Sequence, residues 1–267
     1  MPVAPRPLAA LKIKYGNMPS LVQRAVARLT PMAQSRVYRH LYLPYVINKK
    51  GLEIGGPSEV FRRWRPLDLY RNVGGLDNCD FSRSTVWAEQ QDIYTYDPEK
   101  SSGKSIFCDG SELISVKDGT YDFVLSSHNL EHFANPVKAL KEWQRVIRPS
   151  GALILVLPNY KRTFDHRREP TSVDHMLEDF EQNVGEDDLT HLPEILEKHD
   201  LSMDPGAGSK DSFHQRSLNN FSNRCLHHHV FDKSNSCELL KRIGFRVRRV
   251  FLGFPFHICI VATTAGD

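Results

Sequence analysis

The chain has 267 residues, 40% hydrophobic and 25% charged, the balance of an ordinary globular protein long enough to bury a full core. No run approaches the roughly 18 apolar residues of a membrane-crossing helix, and the N-terminus lacks the continuous apolar stretch of a secretory signal. The net charge of +3 conceals an asymmetry: residues 1–50 hold nine Lys or Arg and no Asp or Glu, which leaves the remainder at −6.

Three prolines fall among the first seven residues, and the chain reads as irregular to about residue 18. Leu21, Val22, Ala25, Val26 and Leu29 then recur at helical spacing, and Pro31 ends that helix or begins another. Helical pattern continues to about Leu43. Residues 1–44 therefore read as a basic helical extension over the edge of the main domain, 45–267. Its arginines, Arg24, Arg28, Arg36 and Arg39, are open to two further readings: a mitochondrial transit segment or a patch facing an anionic partner. The five cysteines are scattered with no CxxC pair, as expected of buried thiols in a reduced, cytoplasmic protein.

Gly51 to Ile54 reads as a strand ending in the tight turn Gly55-Gly56, followed by a helix through Val60, Phe61 and Trp64. Such a turn offers backbone N–H groups at a helix start, where a ligand can approach closely. Weaker strands follow at Val73–Phe81 and Ser105–Cys108. Tyr121–Ser127 is a buried-strand run. Asn135 caps and Pro136 starts a helix with Val137, Leu140, Trp143 and Ile147 on one face, closed by Arg148-Pro149-Ser150-Gly151. Ala152–Leu157 is a nearly continuous apolar strand. Residues 159–232 are polar and rich in His, Asp and Glu, and they hold helix candidates at Ser172–Asn183 and Leu192–His199. A helix at Ser236–Ile243 and strands at Phe245–Leu252 and His257–Thr263 close the chain. The alternation indicates an α/β fold: a Rossmann-like, mainly parallel sheet with helices on both faces and a closing antiparallel strand. Ligands bind along the edge formed by the strand ends.

The order of these segments resembles the class I S-adenosylmethionine-dependent methyltransferases, within the broad group that includes quinone-biosynthesis methyltransferases. The likeness is carried by Tyr121–His132, by Asn135-Pro136, by Ala139-Leu140-Lys141-Glu142, and by Arg145–Gly151. The histidine-rich blocks of 159–232 also resemble a little-characterised bacterial subgroup. The resemblance implies S-adenosylmethionine as cofactor, with Glu53, Gly55 and Gly56 around its methionine part. It implies Asp80 on the ribose, Asp109 on the adenine amino group, and Ser127 and His128 lining the pocket.

Methyl transfer is an in-line displacement in which alignment contributes most, and a hydroxyl acceptor also needs a general base. The insertion 159–232 follows the fifth strand and is the expected substrate side. His166, with Asp165 and His128, is the candidate catalytic group. Arg167, Arg168, His175, His227 and His229 are the candidate substrate contacts. His227 and His229, or His175 and Glu178, could pair on a metal, but no complete ligand spacing appears and no metal is assigned. His132 reads as a loop-fixing hydrogen-bond partner. The expected activity is O-methylation of a small molecule or glycan with a histidine base. A metal-dependent hydrolase and a non-catalytic binding protein are the alternatives. A nucleic-acid substrate is disfavoured by the acidic main domain and by Ser127-His128-Asn129-Leu130 where a base-gripping Asn/Asp-Pro-Pro-Tyr/Phe element would stand.

Overall fold

A computed structural model describes residues 31–86, 89 and 91–266. The helix expected at Leu21–Leu29, with Arg24 and Arg28, lies outside these residues. Helix α1, Pro31–Val46, begins at the proline. The strands follow as β1 Lys50–Ile54, β2 Gly75–Asp80, β3 Ile93–Tyr94, β4 Gly103–Phe107 and β5 Tyr121–Ser127. Next come α2 Pro136–Val146 and β6 Ile147–Pro158. The insertion contributes α3 Val173–Glu181, α4 Leu192–Lys198, α5 Lys210–Leu218 and α6 Asn220–Asn223. The chain closes with α7 Lys233–Arg242, β7 Arg246–Gly253 and β8 His257–Thr263.

All eight strands form one sheet in the order β3-β4-β2-β1-β5-β6-β8-β7. The central five, β4-β2-β1-β5-β6, are parallel, whereas β3 and the β7–β8 pair run antiparallel. Chain direction across the sheet reverses beside β1, with β2 on one side and β5 on the other. Ile54 faces Cys79 and Ser126 in register, so the carboxyl ends of three strands meet at one crevice, where doubly wound sheets bind ligands.

Both faces of the sheet are covered, and side-chain alternation along β6 decides which residue serves which face. Leu153, Leu155 and Leu157 pack with Val137, Leu140 and Trp143 of α2, Val173 and Met176 of α3, and Leu239 and Leu240 of α7. Ile154 and Val156 pack on the other side with Tyr38, Tyr42 and Val46 of α1 and with Phe61, Leu69 and Tyr70. Helix α1 is thus a structural layer of the sheet domain, sealed by the Tyr38 hydroxyl donating to the Leu252 carbonyl at 3.0 Å. The caps act as their residues dictate: Asn135 accepts from the Lys138 N–H, and Ser172 from the His175 N–H. Helix α2 stops at Val146, so Ile147 belongs to β6 and not to the helix face.

Two local expectations are corrected. No α-helix follows the β1 turn: Glu59–Phe61 is a single 3₁₀ turn, and Trp64 has φ +65°. Pro57 and Pro66 bracket the segment, and residues preceding proline avoid the helical region, so too few positions remain for a stable helix. In the insertion, α5 and α6 form where no periodic pattern announced them. Helix α5, through Phe213, shares a small core with Leu192 and Ile195 of α4 and with Ala207 and Leu226. All five cysteines are free thiols. Among the described residues no helix is long and apolar enough to cross a membrane.

Candidate active site

The turn after β1 is built to be closed, not to offer hydrogen bonds. Gly55 has φ +72°, a conformation open to glycine, and a Cβ there would sit 2.0 Å from Asn129 Nδ2. The Gly55 N–H donates to the Cys79 carbonyl and the Gly56 N–H to Asn78 Oδ1, at 2.8 and 2.9 Å. The Ser58 N–H and hydroxyl both donate to Glu53 Oε1, at 3.1 and 2.6 Å. Glu53 itself is fully buried, and the Tyr70 and Tyr94 hydroxyls complete its shell. Burial pushes its carboxyl up, against the pull of those hydrogen bonds. Glu53 therefore fixes the turn from beneath and is not on the wall of the cavity. The expectation of turn N–H groups presented to a ligand from a helix start is replaced by bare glycine backbone.

That backbone forms one wall of a cavity of about 920 Å³ at the strand ends, at the upper end of the roughly 300–1,000 Å³ typical of ligand pockets. Asp80 at the end of β2, Asp109 beyond β4, and Ser127 and His128 at the end of β5 all line it, as do Gly55 and Gly56. Ile54, Cys79, Phe81 and Phe133 supply apolar surface between the two carboxylates. Asp109 Oδ1 accepts from the Ser111 N–H and hydroxyl at 2.8 and 2.7 Å. Its Oδ2 lies 3.3 Å from Arg224, which comes from the insertion and sits over the Phe81 ring.

The opposite wall holds a cluster of imidazoles and acids. His227 Nδ1 donates to Asp165 Oδ2 at 2.6 Å. Burial pulls the His227 imidazole down, but Asp165, through charge and hydrogen bond, and then Glu131 outweigh it and leave it raised. Asp165 is held well below the usual carboxylate range, at about 2, because His227 and Arg168 overcome its burial. Arg168 is itself buried and donates to Asp165 and to the His227 and His228 carbonyls, at 3.1, 2.7 and 3.2 Å. Beside the pair, both Glu131 oxygens are buried without a hydrogen-bond partner, and burial raises this carboxyl to about 7. The His132 ring lies edge-on to His227, with Nδ1 3.1 Å from the Leu226 carbonyl. His128, at φ +51°, shares a 2.8 Å hydrogen bond with His257. Burial and then the His257 and His227 imidazoles push His128 well down.

The structure separates the remaining candidates from the cavity. His166 and Arg167 turn to Asp200, at 3.6 and 2.9 Å, and neither lines the cavity. Arg168 has no exposed edge to offer a substrate. His175 and His229 sit with Asp179 and His191 in a separate cluster. His227 and His229 thus fall in different groups, and His175 approaches Asp179, not Glu178. Glu131, His257 and the pairing of Asp165 with His227 were missed by the sequence reading. The only sequence signal for them is the density of His and acid residues around the fourth strand's end and the insertion.

Residues 56–155 match the family described as a methyltransferase domain. Among solved structures, an S-adenosylmethionine-dependent methyltransferase from Mesorhizobium loti is similar at TM-score 0.50 and 13% identity, over 86% of this chain and 97% of that one. A methyltransferase of the same cofactor class from Aquifex aeolicus is similar at TM-score 0.48 and 13% identity, over 93% and 100% of the two chains. No curated protein matches the chain.

Proposed function

We propose that the chain is a class I S-adenosylmethionine-dependent methyltransferase, as its match to a methyltransferase domain supports, and that it methylates a hydroxyl oxygen of a small molecule or glycan, with His227 as general base. The cavity's donor set suits the cofactor. Carboxylates stand at two successive strand ends, Asp80 for a ribose diol and Asp109 for an adenine amino group, with Ile54, Phe81 and Phe133 between them for the apolar ring. Bound there, S-adenosylmethionine supplies a methyl carbon already activated by its sulfonium.

The remaining work falls to the chain. The glycine backbone of the turn lets a ligand approach without a side chain in the way, and Glu53 holds that turn in shape. On the facing wall, Asp165 accepts the Nδ1 proton of His227, which fixes the tautomer and leaves Nε2 as the nitrogen that can take a hydroxyl proton. Phe164, Phe254 and Phe256 with Arg162 and Thr163 also line the cavity, a mixture of flat apolar and polar surface suited to a hydroxylated acceptor. Closing the acceptor and donor into one cavity aligns them for in-line transfer.

The single observation behind this reading is the 2.6 Å bond between buried Asp165 and His227, whose ring lines the same cavity as the turn. The test is a comparison of His227→Asn with His166→Ala on a panel of hydroxylated acceptors, with S-adenosylhomocysteine affinity measured by calorimetry. His227→Asn lowers kcat by about 10²–10⁴-fold with affinity retained, while His166→Ala leaves kcat unchanged. Full turnover in His227→Asn removes the base assignment, and no binding of S-adenosylhomocysteine removes the whole reading.

A further inference from the structure

We propose that His175, Asp179, His191 and His229 form a binding site for one divalent transition-metal ion, zinc foremost, outside the active-site cavity. One ligand atom from each of the four lies within 4.8 Å of all the others. His175 Nε2 is 3.1 Å from His191 Nε2, and Asp179 Oδ2 is 3.6 Å from His175 Nε2. Two ligands at about 2.0–2.1 Å from a tetrahedral zinc stand roughly 3.3 Å apart. The observed spacing is that of a shell around an ion.

The local chemistry is hard to account for otherwise. Asp179 Oδ2 and His229 Nδ1 are buried atoms with no hydrogen-bond partner, and the His229 side chain has no solvent exposure. Buried polar atoms normally find partners; here three imidazoles converge on an unpartnered carboxylate oxygen. The group behind His229 is also in place. The His229 Nε2–H donates to the Ala134 carbonyl at 3.1 Å, the usual support of a metal-bound imidazole, and this leaves the unpartnered Nδ1 as its ligand atom. His175 remains 39% exposed, which gives the ion a path from solvent.

The spacing explains why the sequence does not declare the site. His175 and Asp179 are one turn apart on α3 and share a face. His191 stands at the start of α4, and His229 comes from the extended segment before α7. An ion there would join three separate pieces of the insertion to the region beside α2. It would also fix the strand-like segment that carries His227 two residues earlier. Three neutral imidazoles and one carboxylate make a four-coordinate nitrogen–oxygen set that suits zinc and is unlike the oxygen-rich shells of magnesium or calcium.

The experiment uses the full chain. The protein is stripped with a chelator and titrated with Zn²⁺, then with Co²⁺. The expected result is one ion per chain, a higher Tm on zinc addition, and Co²⁺ absorption of tetrahedral intensity without a thiolate charge-transfer band. Asp179→Asn and His191→Ala each weaken zinc binding by at least about 100-fold while leaving the Tm of the stripped protein near that of the wild type. If one of them fails to fold, the other carries the comparison. The proposal is overturned if the stripped protein takes up no zinc. It is also overturned if both variants bind zinc as the wild type does and Glu131→Gln abolishes binding, because the ion then belongs to the cavity wall. Neither readout passes through methyl transfer, so this site and the proposed activity stand or fall separately.

Discussion

At the residue scale, the assignments turn on what each side chain already touches. Glu53 and Arg168 both carry charge near the site, yet each is fully engaged in building it: Glu53 by two hydroxyls and the Ser58 N–H, Arg168 by Asp165 and two carbonyls. His227 is different, because Asp165 occupies one ring nitrogen and the ring lines the cavity. A base must be neutral to act, and His227 is raised by Asp165 above the ordinary histidine value of about 6.5. Activity therefore falls as pH drops through that raised value. Asp165→Asn removes the raising partner and leaves burial, which lowers the imidazole, so the acid limb of the kcat–pH profile moves to lower pH while kcat itself declines. An acid limb that stays in place would show that another group controls it. Asp165 is visible in the sequence as an acid beside His166. Its partnership with His227, 62 positions away, is not.

At the element scale, legibility tracked the density of local signals. The structure returns β5 and β8 with the expected bounds, Tyr121–Ser127 and His257–Thr263, because strands with largely apolar, largely buried centres have few alternatives. Helix α2 begins at the expected Asn135-Pro136 because that cap satisfies a specific N–H. Asn135 has a second role: its Nδ2 donates to the Asp179 carbonyl at 3.1 Å, tying α2 to the end of α3. Asn135→Ala loses both interactions and lowers unfolding stability by about 1–2 kcal/mol. Urea denaturation checks this, with a lower midpoint and unchanged m-value as the expected outcome. An unchanged midpoint would mean that neither bond matters. The segment after β1 and helix α5 were misread for opposite reasons. Apolar Val60, Phe61 and Trp64 mimic a helix that two prolines forbid, whereas α5 is polar and forms only because Phe213 docks in the insertion's own core.

For the whole molecule, the burial of imidazoles sets the response to acid. His128, His132, His191, His199, His228, His229 and His257 are all depressed, burial being the first cause in each, with His257 at about 4. Such groups stay neutral in the fold but protonate in the unfolded chain below about pH 6.5, so stability is lost as pH falls below that value. Glu131, raised to about 7, and His227, also raised, act in the opposite sense across the same window. The seven depressed imidazoles outnumber the groups that act in the opposite sense, the raised Glu53, Asp68 and Asp179 carboxyls included, and leave the unfolded state binding more protons. Tm is therefore expected to fall by roughly 5–10 °C between pH 7 and pH 5, as followed by thermal unfolding at constant ionic strength. A flat or rising Tm would mean that these imidazoles are hydrated in the folded protein.

The sequence alone determined the α/β class and the order of the principal strands, since these rest on periodicity and caps, and its run between Tyr121 and Gly151 carried the family resemblance that implied the cofactor class. Local order is written in neighbouring residues and survives without knowledge of the fold. Only the tertiary structure decided how the histidines and acids group. It drew His227 to Asp165 in the cavity wall, sent His229 to His175, Asp179 and His191, and buried Arg168 between them. Those pairings join positions tens of residues apart through the packing of the insertion against the sheet. No spacing along the chain encodes them, because the distances that matter to a proton or a metal ion are measured through space.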